Sequence, residues 1–186
     1  MNFQKKINNF KNVWKVKKLN KNILYNKGTF IKDKDIKKEL KSFLKIYKLR
    51  PIKYNKFGIQ FPHMFAMYVL LRKIKPNFVV ESGIFKGQST WLIEKVLPKA
   101  KLLCIDPDLS NRQYISKKAK YSKIDFEFHD FSNIPKNSLV FFDDHQHCID
   151  RLIQAKWFNF KHIIFEDNYP WPQGDFYSLK KVILGT

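Results

Sequence analysis

The sequence predicts a doubly wound parallel α/β sheet of order 3-2-1-4-5, with helices on both faces, preceded by a basic helical arm. Three observations predict it. First, four apolar runs read as strands: Phe78–Glu81, Leu102–Ile105, Leu139–Phe142 and His162–Phe165. Unbroken apolar runs mark strands buried on both faces. Second, helical patterns alternate with these runs, which implies right-handed βαβ crossovers. Third, the runs end in carboxylates or a glycine turn: Glu81 to Gly87, Asp106, Asp143-Asp144-His145 and Glu166-Asp167-Asn168. Ligands of open parallel sheets bind beyond the carboxyl ends of the strands, so polar residues confined to those ends mark a site.

Each element has its own reason. Phe3, Ile7, Phe10 and Trp14 recur at helical spacing among Lys and Asn, an amphipathic basic pattern. A second helix is expected over Asp33–Tyr47, with Ile36, Leu40, Phe43 or Leu44, and Tyr47 on one stripe; Pro51 and the Lys53–Gly58 stretch end it. A third, His63–Ile74, is apolar on most faces and stops before Pro76. Further helices are expected at Gln88–Leu97, Asn111–Ala119 and His147–Trp157, a short strand at Asp125–Phe128, and a short helix from Asp175. The domain reading is an arm over 1–60 and an α/β domain over 61–186.

A chain of 186 residues holds one domain with a sizeable core. Its 44% hydrophobic content is that of a globular protein. No apolar stretch reaches the ~20 residues that cross a bilayer, and the basic first twenty residues lack the apolar core of a secretory signal. Cys104 and Cys148 are the only cysteines, which excludes a disulfide framework and fits a reducing cytoplasm. The formal charge is +20, and residues 1–56 hold eighteen Lys or Arg against three acids, so +15 of it belongs to the arm. The arm is expected either to pack on its own domain or to make weak contact with a polyanion or an anionic membrane face.

The strand ends carry the chemistry. Glu81-x-Gly83-x-x-x-Gly87 lets backbone N–H groups and a helix N-terminus approach a ligand, with Ser89 in the first helical turn. An acid ahead of the glycines repels a pyrophosphate and suits a cationic ligand such as S-adenosylmethionine. Asp106, about twenty residues on, is placed to accept ribose hydroxyls, and Asp130 to accept an adenine amino group. Asp143, Asp144, Glu166, Asp167 and Asn168 would converge at neighbouring strand ends, where gathered carboxylates repel unless a cation joins them. Oxygen ligands suit magnesium, calcium or manganese rather than zinc. Asp144 is equally placed to cap the following helix. His145 or His147 is the base that such a site needs. His63, His129 and His162 read as structural, and Tyr169, Pro170 and Trp171 as either an acceptor wall or turn packing.

Glu81-Ser-Gly83-Ile-Phe-Lys-Gly87-Gln-Ser89, Cys104-Ile-Asp106 and His129-Asp130-Phe-Ser resemble the cofactor motifs of class I S-adenosylmethionine-dependent methyltransferases, which have a Rossmann-like fold. Phe141-Phe142-Asp143-Asp144-His145 with Phe165-Glu166-Asp167-Asn168 resembles their metal-dependent O-methyltransferase and cephalosporin-hydroxylase-like branch. The resemblance covers Asn77 to Asn168 and not residues 1–60. It implies an O-methyltransferase that uses S-adenosylmethionine and magnesium on a small-molecule or sugar hydroxyl. Glu81, Gly83, Gly87, Ser89, Asp106 and Asp130 would hold the donor. Asp143 or Asp144, with Glu166, Asp167 and Asn168, would hold the metal, the register being open on sequence alone. The family's final strands have no counterpart after Glu166, so strand five is expected as an exposed edge, with three readings open: a truncated chain, a homodimer through that edge, or an edge covered by the N-terminal arm. The rival readings are a non-catalytic binding protein of the same fold and a nucleic-acid methyltransferase steered by the arm. The latter lacks the Asn/Asp-Pro-Pro-Tyr type motif, since strand four ends in Asp-Asp-His.

Overall fold

The computed structural model describes residues 33–166, 168 and 178–184. The chain divides into two compact units, Met1–Lys38 and Glu39–Thr186. The expectations for Phe3 to Trp14, Asp167, Tyr169 to Pro172 and the helix start at Asp175 lie outside the described residues.

Helix α1 spans Asp33–Tyr47, as its apolar stripe predicts. Its second half is anchored by Phe43, fully buried among Tyr47, Phe61, Phe65 and Tyr68, with ring centroids 5.3–5.4 Å away. Helix α2 spans Phe61–Ile74 and starts two residues earlier than expected, because Pro62 is tolerated in a first turn whose N–H groups have no intrahelical partner. It ends at Lys75, whose left-handed conformation turns its N–H onto the Leu71 carbonyl.

Five parallel strands follow: β1 Phe78–Ser82, β2 Lys101–Ile105, β3 Lys120–Ser122, β4 Ser138–Phe142 and β5 His162–Phe165. Their order is β3-β2-β1-β4-β5, as the alternation predicts. Helices α3 (Gln88–Val96), α4 (Cys148–Trp157) and α5 (Leu179–Leu184) follow β1, β4 and β5. Side chains alternate across the sheet. One face sends Val80, Ile105, Val140 and Phe142 into a cluster with Phe126, Phe131, Ala155 and Phe160. The other sends Glu81 and Cys104 towards Thr90 of α3. Among the described residues no helix is long and apolar enough to cross a membrane.

Two expected elements are corrected. Asp125–Phe128 is not a strand; the third strand is Lys120–Ser122, and Phe126–Phe128 is a single 3-10 turn. Asp125 caps that turn by accepting from the Glu127 N–H at 3.1 Å, and Phe126 is drawn into the aromatic cluster. Asn111–Ala119 forms no helix. Its polar groups are engaged elsewhere: the Gln113 and Tyr114 N–H groups donate to the Lys86 carbonyl, both at 3.0 Å. The Ser116 hydroxyl accepts from the Lys118 and Ala119 N–H groups. Side-chain and tertiary acceptors thus replace the i−4 carbonyls.

Candidate active site at the strand ends

The turn after β1 is closed by its neighbours. Gly83, Phe85 and Gly87 all have positive φ, at 91°, 49° and 87°. A Cβ on Gly83 would lie 2.1 Å from the Asp143 carbonyl oxygen, and one on Gly87 2.6 Å from that of Tyr114. Both glycines are therefore required by backbone passing against backbone. Asp106, at the end of β2, holds the turn: its Oδ2 accepts from the Ile84 N–H at 2.8 Å and the Phe85 N–H at 3.1 Å. Its Oδ1 accepts from the Asp108 N–H at 2.9 Å. A carboxylate accepts about four hydrogen bonds, so little of Asp106 is left for a ribose.

Glu81 lies beneath this turn and is fully buried. Its Oε2 accepts from Thr90 Oγ1 at 2.5 Å and from the Cys104 thiol at 3.3 Å. Burial pushes its carboxyl up to about 7, against the opposing pull of the Ser89 and Thr90 hydroxyls and the Cys104 thiol. Burial and the neighbouring Glu81 also raise the Cys104 thiol, which makes it a packing group. Ser89 is buried in the same place. Glu81 and Ser89 thus support the turn from below.

The structure does not bring Asp130 to the strand ends. It lines a cleft with Ile134, Pro135, Phe158 and Lys161, residues that lead into β4 and β5 and so stand at their amino ends. Its carboxylate is lowered by hydrogen bonding to Ser132, whose N–H it accepts at 2.9 Å.

At the other two strand ends the acids separate into roles. Asp144 Oδ2 accepts from Ser82 Oγ at 2.7 Å and from Arg151 Nε at 2.9 Å. The same guanidinium forks onto Asp125, with Nη1 at 2.8 Å and Nη2 at 2.6 Å. The Arg151 side chain is only 5% exposed, so this network clamps the 3-10 turn, β1, β4 and α4 together. Bidentate pairing of this kind is the strong form of an ion pair. Asp144 is therefore held internally by Ser82 and Arg151, while Asp143 directly follows β4. Asp143 and Glu166 are neighbours, because Phe142 and Phe165 pair in register and the Glu166 N–H donates to the Phe142 carbonyl at 3.0 Å.

Glu166 meets His63 of α2 through its Oε1 and the ring Nδ1. Sequence spacing gave no sign of this contact between residues 103 apart; only the placement of the α2 amino end beside β5 creates it. Asn168 Oδ1 accepts from the Lys180 N–H at 2.9 Å, capping α5. His145, exposed and left-handed at φ 53°, lines a cleft with Asp143, Cys148, Phe165 and Asn168. His147 is the N-cap residue of α4, with Nδ1 3.7 Å from Asp150. A hard cation needs about six oxygens, several of them from water. Among the described residues no group of three or more His, Cys, Asp or Glu able to hold a metal is gathered. Of the expected metal-binding acids, Asp143 and Glu166 stand on adjoining strand ends, and Asp167 lies outside the described residues. Arg151 and Asp125 were missed by sequence reading, since an arginine within a helix reads as a solvated charge.

Neither a protein-family model nor a curated protein matches the chain. Among solved structures, a CmcI structure described with SAH matches at a TM-score of 0.54 and 18% identity, over 66% of this chain and 73% of that one. The apo structure of CmcI matches at 0.54 and 18%, over 71% of this chain and 64% of that one. At such identity the likeness establishes the fold alone, a Rossmann-like parallel α/β sheet.

Proposed function

We propose that this chain is an S-adenosylmethionine-dependent O-methyltransferase acting on a small-molecule or sugar hydroxyl. The observation that carries this reading is the Gly83–Gly87 turn clamped by Asp106 at the centre of a sheet of methyltransferase order, with Asp143 and Glu166 on the adjoining strand ends. The CmcI structure of the same fold is described with SAH, which supports a donor of that class here. The acceptor oxygen would attack the sulfonium methyl carbon, the new O–C bond forming as the S–C bond breaks and S-adenosylhomocysteine leaves, and the hydroxyl proton would pass to a nearby base. His145 is the better placed of the two candidates, because it lines the cleft beside Asp143. Asp143, Glu166 and Asp167 would hold a magnesium ion, which would lower the pKa of the acceptor hydroxyl and orient it. Pairing of two copies through the β5 edge and contact of the basic arm with polyanions belong to the same proposal.

Calorimetry with S-adenosylhomocysteine, with and without magnesium, tests the assignment. The protein is expected to bind, and Asp106→Ala to weaken binding by about 1–3 kcal/mol as the turn loses its charged acceptor. Asp143→Asn should remove the magnesium effect, whereas Asp144→Asn should lower stability through the Arg151 network. Folded protein that releases no heat with S-adenosylhomocysteine would defeat the proposal. A non-catalytic binding protein of this fold would then be the better reading, favoured by the internal engagement of Glu81 and Asp106.

A further inference from the structure

The segment between α1 and α2 is built to present what folding normally hides. Ile52 and Ile59 are buried and anchor it. Asn55 Nδ2 donates to the Ile59 carbonyl at 3.1 Å, and Gln60 Nε2 to the Asn55 carbonyl at 3.0 Å, so the loop has a fixed shape. On that frame Leu49, Tyr54 and Phe57 point outwards, 72%, 76% and 85% exposed. Phe57 also takes a left-handed φ of 68°, a conformation unfavourable for an aromatic residue. Local strain and exposure together suggest a contact surface.

The charges say which partner fits. Lys48, Arg50, Lys53 and Lys56 lie in the same stretch, and residues 48–58 contain no acid. Lys56 rests over the Phe57 ring at 4.8 Å, so apolar and cationic groups share one tip. The chain's own first thirty-two residues carry lysines and no acid, so they would be repelled rather than seated here. Aromatic and aliphatic side chains flanked by lysines match the interface of an anionic bilayer, where rings sit at headgroup level and ammonium groups meet lipid phosphates. The loop leads directly into α2, whose His63 meets Glu166 at the end of β5, so it borders the strand ends.

We infer that the 48–58 loop docks the protein on an anionic membrane surface through Leu49, Tyr54, Phe57 and the surrounding cations. Co-sedimentation of the full chain with phosphatidylcholine vesicles, with and without about one third phosphatidylglycerol, tests this. It needs neither donor nor metal, so its outcome is separate from that of the methyl-transfer assignment. Binding is expected to the anionic vesicles only and to fade with salt. The triple variant Leu49→Ser, Tyr54→Ser, Phe57→Ser should lose about tenfold or more in vesicle affinity with an unchanged melting temperature. The single Lys56→Glu variant should also weaken binding while keeping the apolar set. Charge attraction through the first thirty-two residues alone would survive the triple substitution. A triple variant that binds like the parent, or a parent that ignores these vesicles, overturns the inference. So does a parent whose loop residues are needed for a single-stranded oligonucleotide instead.

Discussion

Glu81 shows how a single residue can be recognised by type and still misjudged in role. A carboxylate at the end of a parallel strand reads as a ligand group, yet here β1 turns it towards α3, onto Thr90 and Cys104. Burial raises its carboxyl from 4.5 to about 7. In the window between those values the folded chain holds a proton that the unfolded chain has lost. The stabilisation is thus complete below about 4.5 and disappears as pH rises through about 7. The difference is on the order of 3 kcal/mol. Urea unfolding across pH 4 to 9, an interval of about five units around these values, should show stability declining through neutrality for the parent. Glu81→Gln should flatten that decline, and a parallel decline in both proteins would remove Glu81 as its source.

Among the elements, the turn from β1 into α3 is where backbone geometry dominates. Gly83 and Phe85 share the left-handed region, but their surroundings differ. Gly83 abuts the Asp143 backbone, which cannot yield without moving β4. Gly83→Ala is therefore expected to cost about 3 kcal/mol or more. Phe85 is half-buried and carries the strain of a side chain at φ 49°. Phe85→Gly removes that strain but adds unfolded-state entropy and loses the half-buried ring, so these effects offset and stability should change by about 1 kcal/mol or less. Denaturant midpoints of the two variants check the contrast. If both lose equally, steric approach to Asp143 is not what distinguishes the two positions.

For the molecule as a whole, the question is where the sheet-bearing unit begins. Expectation placed the boundary at residues 60 and 61, while the compact unit runs from Glu39. Phe43 is the physical link, since its ring lies among Phe61, Phe65 and Tyr68 of α2. Removing a fully buried Phe typically costs about 3–5 kcal/mol. Phe43→Ala should therefore lower the melting temperature of one cooperative transition that includes the sheet. A sheet transition that stays in place, with only helical signal lost, would return residues 39–60 to the arm.

Strand number and order were determined by the sequence itself, because strands inside a parallel sheet must be apolar throughout and their polar ends then stand out. Phe78–Glu81 was legible for that reason, and His162–Phe165, a half-buried edge strand, by its apolar run alone. Tertiary structure decided what each polar residue does. Hydrogen-bond partners come from distant segments: Arg151 reaches Asp125 and Asp144, and His63 reaches Glu166. It also decided that 111–119 stays irregular, since the Lys86 carbonyl captures N–H groups that a helix would have used. Local pattern reports which surfaces must leave water. The pairing of groups that remain polar depends on three-dimensional proximity, and short spacing rules do not encode it.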